Sequence, residues 1–188
     1  DLALQAHEHL ALVIGLGEKK FRAKQLYEGL MQGKAISEIT SLSKAFKEKL
    51  LEEYEDAPVR IKETFHSLDG TEKFLFEYAD GNLVEGVLMK YKYGYTQCVS
   101  TQVGCRMGCK FCASTIGGRV RDLGPDELLG QVIAAQKEIG ERISNIVMMG
   151  IGEPLDNYDN VIKFLHLVNC EAGLNIGYRH ISLSTCGL

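Results

Sequence analysis

Three cysteines in one short stretch limit what this chain can be more than any other feature of its sequence. Cys105, Cys109 and Cys112 follow the spacing C-x3-C-x2-C. Three thiolates this close in sequence can surround one small, soft metal centre. A [4Fe–4S] cluster normally takes four cysteines, one for each iron, so three cysteines would leave one iron open to a substrate or a cofactor.

The two common alternatives to an iron–sulfur cluster fit this spacing poorly. Structural zinc sites usually combine two separated ligand pairs, whereas here the third cysteine lies in the same loop and no C-x2-C or H-x3-5-H pair follows. Disulfide frameworks are typical of shorter chains from oxidising compartments. Phe111 stands directly before Cys112, and C-x3-C-x-(aromatic)-C is similar to the signature of the radical S-adenosylmethionine (SAM) enzymes. In that superfamily, SAM chelates the open iron through its amino and carboxylate groups.

The composition is that of an ordinary globular protein. The chain has 188 residues, of which 45% are hydrophobic and 24% are charged, and its formal net charge is −4. This charge does not indicate a nucleic-acid binder, so any RNA contact would need local basic clusters. The sequence contains no long apolar run and no signal peptide, so we expect a cytoplasmic protein without a membrane segment.

The first 57 residues carry the period of amphipathic helices. The stripe of the first helix consists of Leu4, His7, Leu10 and residues 12–14. A second helix is expected over about residues 23–31, and Ser43 is suited to cap a third. Pro58 then breaks the pattern, so we interpret residues 1–57 as a small helical domain.

Residues 58–97 change to the alternating pattern of strands. Asp69-Gly70 and Asp80-Gly81-Asn82 are turn signals between the alternating runs. We therefore predict a small antiparallel β meander. Its last strand, over about residues 95–102, leads into the cysteine stretch.

Residues 98–188 alternate between strand and helix patterns. The predicted elements are a helix from Pro125 to about Ile139, a buried strand at 146–149, a helix capped by Asp156 or Asn157, and a strand at 180–185. Strands that alternate with helices are typical of a parallel sheet, so the sequence predicts an α/β fold.

Several of these segments together are similar to the RlmN family, the dual-specificity adenine-C2 methyltransferases of ribosomal and transfer RNA. The resemblance covers nearly the whole chain. Residues 19–30 and 42–50 resemble the family's small helical domain. Residues 98–118 resemble its cluster segment, and residues 148–161 and 183–188 resemble its SAM-binding strands.

The resemblance implies a partial radical SAM (β/α) barrel with its active site at the carboxyl ends of the strands, as in βα barrels generally. We find about half of the βα units that such a barrel has. The resemblance therefore implies that the C-terminal half of the barrel is missing, and that the methyl-carrying cysteine lies beyond Leu188. It divides the chain into an RNA-binding-like helical domain (1–57), a connecting β meander (58–97) and the first half of the barrel (98–188).

The resemblance also assigns the cofactor-binding residues. They are Cys105, Cys109 and Cys112 for a [4Fe–4S] cluster, Gly152 and Glu153 for the SAM amino group, and Ser184 for a further SAM contact. A carboxylate at the end of a strand can accept hydrogen bonds from an ammonium group. From the residues alone, Glu153 would be a solvated turn residue and Ser184 a serine that completes a strand end.

Two further residues match catalytic positions of the family. Cys98, seven residues before Cys105, would resolve a covalent protein–RNA intermediate by forming a disulfide with the carrier cysteine, and Glu85 would accept the C2 proton. From the residues alone, Glu85 would be the outward residue of an alternating strand, and Cys98 a buried, inert thiol. Cys170 and Cys186 match no catalytic position, and we interpret both as structural.

The implied activity is the addition of a methyl group to C2 of adenine in 23S rRNA and tRNA. The family uses a [4Fe–4S] cluster, a 5′-deoxyadenosyl radical and a methylated cysteine for this reaction. An external one-electron donor such as flavodoxin or ferredoxin would be needed, and we expect a monomer with no membrane partner. The candidates for phosphate contacts are two basic runs, Lys19, Lys20, Arg22 and Lys24, and Arg106, Lys110, Arg119 and Arg121. Short charge runs are also typical of solvated faces.

Three other functions stay open at this point. The related resistance enzymes that methylate C8 of adenine would share the cluster motif and the cysteines. A truncated, non-catalytic RNA-binding fragment would keep the same fold. A zinc-binding interaction module would use the cysteines as a structural site.

Overall fold

The computed structural model of this chain describes residues 6–57 and 59–188. Leu4 and Pro58, like the side chain of His7, lie outside the described part, so the predictions that involve them stay predictions. In chain order the helices and strands are α1 Ala6–Gly15, α2 Phe21–Met31, α3 Lys44–Glu53, β1 Val59–His66, β2 Glu72–Tyr78, β3 Leu83–Tyr91, β4 Gly94–Cys98, β5 Gln102–Gly104, β6 Arg119–Asp122, α4 Pro125–Ile139, β7 Ile143–Met148, α5 Tyr158–Asn169 and β8 Ile181–Leu183. None of the helices among these residues has the length and apolar character that crossing a membrane requires.

The N-terminal helices follow the local signals of the sequence. Ser43 adopts an extended backbone before α3, and its hydroxyl accepts a hydrogen bond from the Phe46 N–H at 3.4 Å, which confirms the predicted cap. The buried faces of α2 and α3 carry Leu26, Leu30, Phe46 and Leu50. Lys137 of α4 reaches back to Glu38 at 3.0 Å, so these helices lie against the α/β part of the chain.

Six strands form one mixed sheet in the order β1-β2-β3-β4-β7-β8. The first four are antiparallel, and β4, β7 and β8 are parallel. The predicted meander and the predicted parallel strands are therefore both present, and β4 joins them. The turn signals are confirmed as well, because Asp80 Oδ1 accepts the Asn82 N–H at 3.0 Å and Gly81 has a φ of 79°.

The two faces of the sheet differ in burial. The face that contacts helix α4 carries Phe74, Phe76, Val84 and Leu88, all of them buried. The opposite face, which we call the open face, carries exposed or half-buried residues in cross-strand register: Leu75 with Glu85, Val87 with Cys98, Cys98 with Val147, and Val147 with Ser182. Residues that contact a ligand bound against the sheet would lie on this face.

One predicted strand is wrong in its extent. The run from Tyr95 to Gln102 is not continuous, because β4 ends at Cys98 and Gln102 begins β5, which pairs with β6 in a separate two-stranded sheet. Between them, the Ser100 N–H is bound by the Gln131 side chain at 3.0 Å and the Thr101 N–H by the Ile151 carbonyl at 2.8 Å. These partners replace the ladder hydrogen bonds, so the chain leaves the sheet after Cys98.

The predicted cap of α5 is also wrong. Asn157 occupies the N-cap position, but its side chain makes no capping hydrogen bond. Its amide instead donates to the carbonyls of Thr101 and Leu123, both at 2.8 Å, in a buried position. Asp156 is likewise used elsewhere, since its carboxylate binds Arg106 and Gln102.

Candidate active site at the carboxyl ends of the parallel strands

The cofactor-binding residues expected from the sequence meet at one edge of the molecule. The strands β4, β7 and β8 are parallel and adjacent, so their carboxyl ends lie side by side. Three segments follow these ends: the cysteine loop (residues 105–118, reached through β5), the Gly-Glu-Pro turn (residues 149–157) and the C-terminal segment (residues 184–188). We call this region the site edge. Parallel α/β folds bind ligands at this end of their strands.

Position 152 in the Gly-Glu-Pro turn requires a glycine. Its φ of 105° lies in a region that side chains disfavour. A Cβ atom here would also stand 2.7 Å from the Cβ of Gln102 and 2.7 Å from Oγ1 of Thr101. The turn thus packs closely on the segment that leads from β4 to the cysteine loop.

Glu153 is buried at the centre of the turn, and protein donors hold its carboxylate. Oε1 accepts the Leu155 N–H at 3.0 Å and the Thr185 hydroxyl at 2.6 Å, and Oε2 accepts the Cys186 N–H at 2.9 Å. Burial raises the pKa of this carboxyl, but the hydrogen bonds outweigh burial and hold the pKa below its usual value. The Cys186 thiol also hydrogen-bonds this carboxylate, so protein donors occupy most of its roughly four acceptor positions.

The cysteine loop is anchored at its start and exposed over most of its length. Cys105 is buried, and its N–H donates to the Gly118 carbonyl at 3.1 Å, which closes the loop. Cys109 and Cys112 are half-buried, whereas Phe111 is 93% exposed. Hydrogen bonds from Ser114 lower the pKa of the Cys112 thiol, which favours the thiolate form that binds metals.

The thiols of the cysteine loop are not gathered into a metal site in this structure. Across residues 6–57 and 59–188, no three His, Cys, Asp or Glu side chains are close enough together to hold a metal ion. The chemistry of the three residues nevertheless fits an iron–sulfur cluster, because three soft thiol ligands lie within one loop at the site edge. Their assignment as cluster ligands stays a prediction.

The C-terminal segment closes the site edge from the third side. Ser184 follows β8 directly, is exposed, and donates its N–H to the Met148 carbonyl at 3.3 Å. The Cys186 thiol lies 3.6 Å from the Met107 sulfur, so this segment contacts the cysteine loop. The neighbouring Glu153 raises the pKa of the Cys186 thiol. We interpreted Cys186 as structural, but the structure places it at the site edge.

Glu85 and Cys98 lie on the open face, close to the site edge. Glu85 is exposed and its carboxylate pairs with the Lys73 ammonium at 2.9 Å. Cys98 stands opposite Val87, which makes Glu85 its diagonal neighbour, at a Cα separation of about 7–8 Å. Burial raises the pKa of the Cys98 thiol, and a hydrogen bond from the Met149 N–H opposes this only in part. Both residues can face one bound substrate, and their roles stay predictions.

Most side chains of the second basic run form ion pairs with carboxylates of the same chain. Arg106 pairs with Asp156, Arg119 with Asp122 at 2.8 Å, and Arg121 with Asp80 at 2.5 Å and Glu127 at 2.7 Å. These arginines therefore stabilise the loops around the site edge, and the run is a weaker candidate for phosphate contacts than its sequence indicates.

A buried glutamine in β5, to which the sequence assigns no role, connects β5 and β6 with the Gly-Glu-Pro turn. Gln102 is fully buried, and its Nε2 donates to Asp122 Oδ1 at 2.7 Å and to Asp156 Oδ2 at 3.0 Å. Its Oε1 accepts the Glu153 N–H at 3.0 Å. The partners of Gln102 are up to 54 residues away in sequence, so only the folded structure identifies this network.

Comparison with known proteins decides the family. The model of the radical SAM superfamily matches residues 99–188. A probable dual-specificity RNA methyltransferase RlmN of Clostridium novyi is 59% identical over 175 residues, which cover 91% of this chain and 51% of the relative. The RlmN relative of Alkaliphilus metalliredigens is 55% identical and covers 100% of this chain. The chain belongs to the RlmN family.

The solved structures agree with the predicted fold. A crystal structure of a radical SAM methyltransferase from Sphaerobacter thermophilus superposes with a TM-score of 0.93 at 35% identity, covering 100% of this chain and 57% of that chain. The prediction of a partial radical SAM barrel in an α/β fold is therefore confirmed. The chain spans about half the length of the curated relatives that it matches. Membership of this family implies a [4Fe–4S] cluster and SAM as the cofactors.

Proposed function

We propose that the protein containing this chain is a radical SAM methyltransferase that adds a methyl group to C2 of adenine in 23S rRNA and in tRNA. The observation that carries the proposal is the site edge, where the cysteine loop, Glu153 and Ser184 come together in a chain 59% identical to an RlmN protein. Family names support the RNA methyltransferase reaction. The C2 position and the two RNA classes come from the sequence resemblance.

The residues of the site edge would share the binding of the two cofactors. Cys105, Cys109 and Cys112 would supply the thiolates for the cluster. Glu153 would accept a hydrogen bond from the SAM ammonium. Gly152 would lie in the same SAM-binding turn, where its lack of a side chain lets the turn pack against Thr101 and Gln102. When bound, the cluster and SAM supply the one-electron chemistry that a methyl transfer to an electrophilic carbon such as adenine C2 requires.

Glu85 and Cys98 would act on the RNA from the open face. Glu85 is exposed on this face, where its carboxylate pairs with the Lys73 ammonium at 2.9 Å, and one of its carboxylate oxygens would take the C2 proton. Cys98 would lose its proton and attack the sulfur of the carrier cysteine, forming a disulfide bond while the carbon–sulfur bond to the RNA adduct breaks. The electron pair of that bond would stay on the adduct carbon, which takes up a proton to become the methyl group. Because burial raises the Cys98 pKa, the thiol stays protonated and unreactive until that step.

The proposed partners follow from this reaction. The substrates would be 23S rRNA and tRNA, with an external one-electron donor such as flavodoxin or ferredoxin. We propose that the protein acts in the cytoplasm, because its RNA substrates are found there. We also propose that it acts as a monomer. The helical region at residues 6–57 is the candidate for additional RNA contacts, through exposed residues such as Lys19, Lys20 and Lys24.

The experiment is a product analysis with the full-length protein. Anaerobically reconstituted protein is incubated with SAM, a reductant and unmodified 23S rRNA fragments or tRNA, and the nucleosides are identified by mass spectrometry. We expect 2-methyladenosine from both RNA classes and none from the Cys105→Ala variant. Formation of 8-methyladenosine would assign the chain to the C8 reaction instead. A protein that is loaded with iron and cleaves SAM without methylating RNA would contradict the proposal.

A further inference from the structure

The two segments that are expected to hold the cofactors are connected by a chain of side chains. Arg106 follows Cys105 in the cysteine loop, and its guanidinium pairs with Asp156 of the Gly-Glu-Pro turn. The Asp156 side chain is only 5% exposed, whereas that of Arg106 is 58% exposed. Asp156 also accepts a hydrogen bond from Gln102, which in turn accepts the Glu153 N–H.

The two buried members of this connection, Asp156 and Gln102, are each fixed by more than one bond. Asp156 Oδ1 is bound by Arg106 and its Oδ2 by Gln102 at 3.0 Å. Both donors of the Gln102 amide point at carboxylates, Asp156 and Asp122, while its oxygen is bound by the Glu153 N–H. A buried amide whose N–H groups and oxygen are all hydrogen-bonded has one favourable orientation. A displacement of Asp156 would therefore also displace Gln102 and the backbone at Glu153.

We propose that Arg106, Asp156 and Gln102 form a clasp that holds the cysteine loop and the Gly-Glu-Pro turn in one fixed relation. The clasp positions the residues for the cluster and the residues for SAM as a single unit, although the two groups lie on segments about 50 residues apart in sequence. This inference rests on the proposed function, since it assumes that one ligand must reach both segments. The three residues are positioning residues, not catalytic ones.

The need for such a clasp follows from the exposure of the cysteine loop. Beyond Cys105 the loop has little burial of its own, as the exposed Lys110 and Phe111 show. A ligand that must contact an iron of the loop and Glu153 of the turn at the same time binds well only when their separation is set in advance. A misplacement of about 1 Å in such a site can reduce the rate by about a hundredfold.

An isolated ion pair on the surface would not be sufficient for this role, because exposed pairs contribute little. The pair of Arg106 and Asp156 differs because the carboxylate is buried and held by a second donor. Loss of Arg106 would leave a buried carboxylate with Gln102 as its remaining side-chain donor. We therefore expect the loop to detach from the turn when either partner of the pair is changed.

The test compares Asp156→Asn, Arg106→Gln and the double variant in the full-length protein. For Asp156→Asn we expect amide hydrogen exchange of residues 105–112 in the cofactor-free protein to accelerate by about tenfold. SAM affinity of the cluster-loaded protein should fall by about tenfold, as for the loss of one charge-assisted hydrogen bond. The double variant should be no worse than either single variant, because both remove the same bond. Glu77→Gln, which breaks the exposed pair with Lys62 between β1 and β2, serves as the matched control and should leave both quantities unchanged.

The outcomes separate the clasp from the proposed function. Wild-type protein that takes up no iron and binds no SAM would contradict the proposed function itself. Wild-type protein that binds both, together with an Asp156→Asn variant whose loop exchange and SAM affinity are unchanged, would overturn the clasp alone. Additive effects in the double variant would also overturn it, since the residues would then act separately. If Asp156→Asn does not fold, Arg106→Gln decides the question by the same two measurements, because its side chain is largely exposed.

Discussion

The Gly-Glu-Pro turn and the cysteine loop lie at the same edge of the sheet but are built in different ways. In the turn, Glu153, Pro154 and Asn157 are buried, and protein donors hold the Glu153 carboxylate. In the loop, Cys105 alone is buried, and the three thiols are not gathered at one point. The order of the turn therefore comes from hydrogen bonds within the protein, whereas we expect the loop to become ordered when it binds the proposed cluster, as is common for metal sites.

The largest expected effect of a small change falls on the turn. Gly152→Ala would place a Cβ 2.7 Å from the Gln102 Cβ at a φ of 105°, so we expect both a steric clash and backbone strain. Together these should lower the free energy of unfolding by about 4 kcal/mol in urea denaturation. Gly117→Ala in the cysteine loop is the matched control, since its Cβ would have no atom within 4 Å. Equal losses of stability in the two variants would remove the contrast between turn and loop.

The acid sensitivity of the turn gives a second, smaller difference. Hydrogen bonds hold the pKa of Glu153 below its usual value, even though burial raises it, and Arg106 and Gln102 lower the pKa of Asp156. A carboxyl with a lowered folded-state pKa stabilises the fold above its unfolded pKa of about 4, and this contribution is lost as the pH falls through the folded pKa.

We therefore expect the free energy of unfolding to decline below about pH 4, and less steeply in Glu153→Gln than in the wild type. Urea denaturation between neutral and acid pH measures this difference. A decline of the same steepness in both proteins would show that the Glu153 carboxylate is not held as the structure describes.

The smallest expected effect on stability belongs to the loop. Cys109→Ala in the cofactor-free protein should change the free energy of unfolding by less than about 0.5 kcal/mol, because the side chain is only half-buried. The same variant should lose its iron after anaerobic reconstitution, because one of three cluster thiols is removed. Cys170→Ala, a half-buried cysteine outside the motif, should keep its iron. Full iron content in Cys109→Ala would return the cysteine loop to a purely structural role.

Features that depend on neighbouring residues were predictable from the sequence. The Ser43 cap binds an N–H three residues later, and the turn at Asp80 is closed by Asn82 two residues later. The order of strands and helices from α4 onwards is equally local, since it follows from apolar periodicity and from Pro125 at the start of α4. The cysteines, Glu153 and Ser184 were expected at one edge of the sheet, because the segments that resemble the family follow parallel strands. The carboxyl ends of adjacent parallel strands lie side by side.

Features that depend on distant partners were not predictable. Asn157 looks like a helix cap, yet its amide is taken by carbonyls 56 and 34 residues earlier in the chain. The β5–β6 pair was not predicted. Strand β5 has only three residues, and the sequence of β6, Arg-Val-Arg-Asp, resembles a basic patch more than a strand. Gln102 and Asp156 lie in segments that resemble the family, but nothing in the sequence indicates that they contact each other, so their connection becomes visible only in the folded chain.

The most direct test of this account is amide hydrogen exchange of the full-length protein, measured with and without the reconstituted cluster. We predict that exchange in the cysteine loop, residues 105–118, slows by at least about tenfold when the cluster is present. Exchange in the Gly-Glu-Pro turn, residues 149–157, should change by less than about twofold, because its hydrogen bonds are formed without a cofactor. A loop whose exchange is the same with and without the cluster, or a turn that gains as much protection as the loop, would contradict the account.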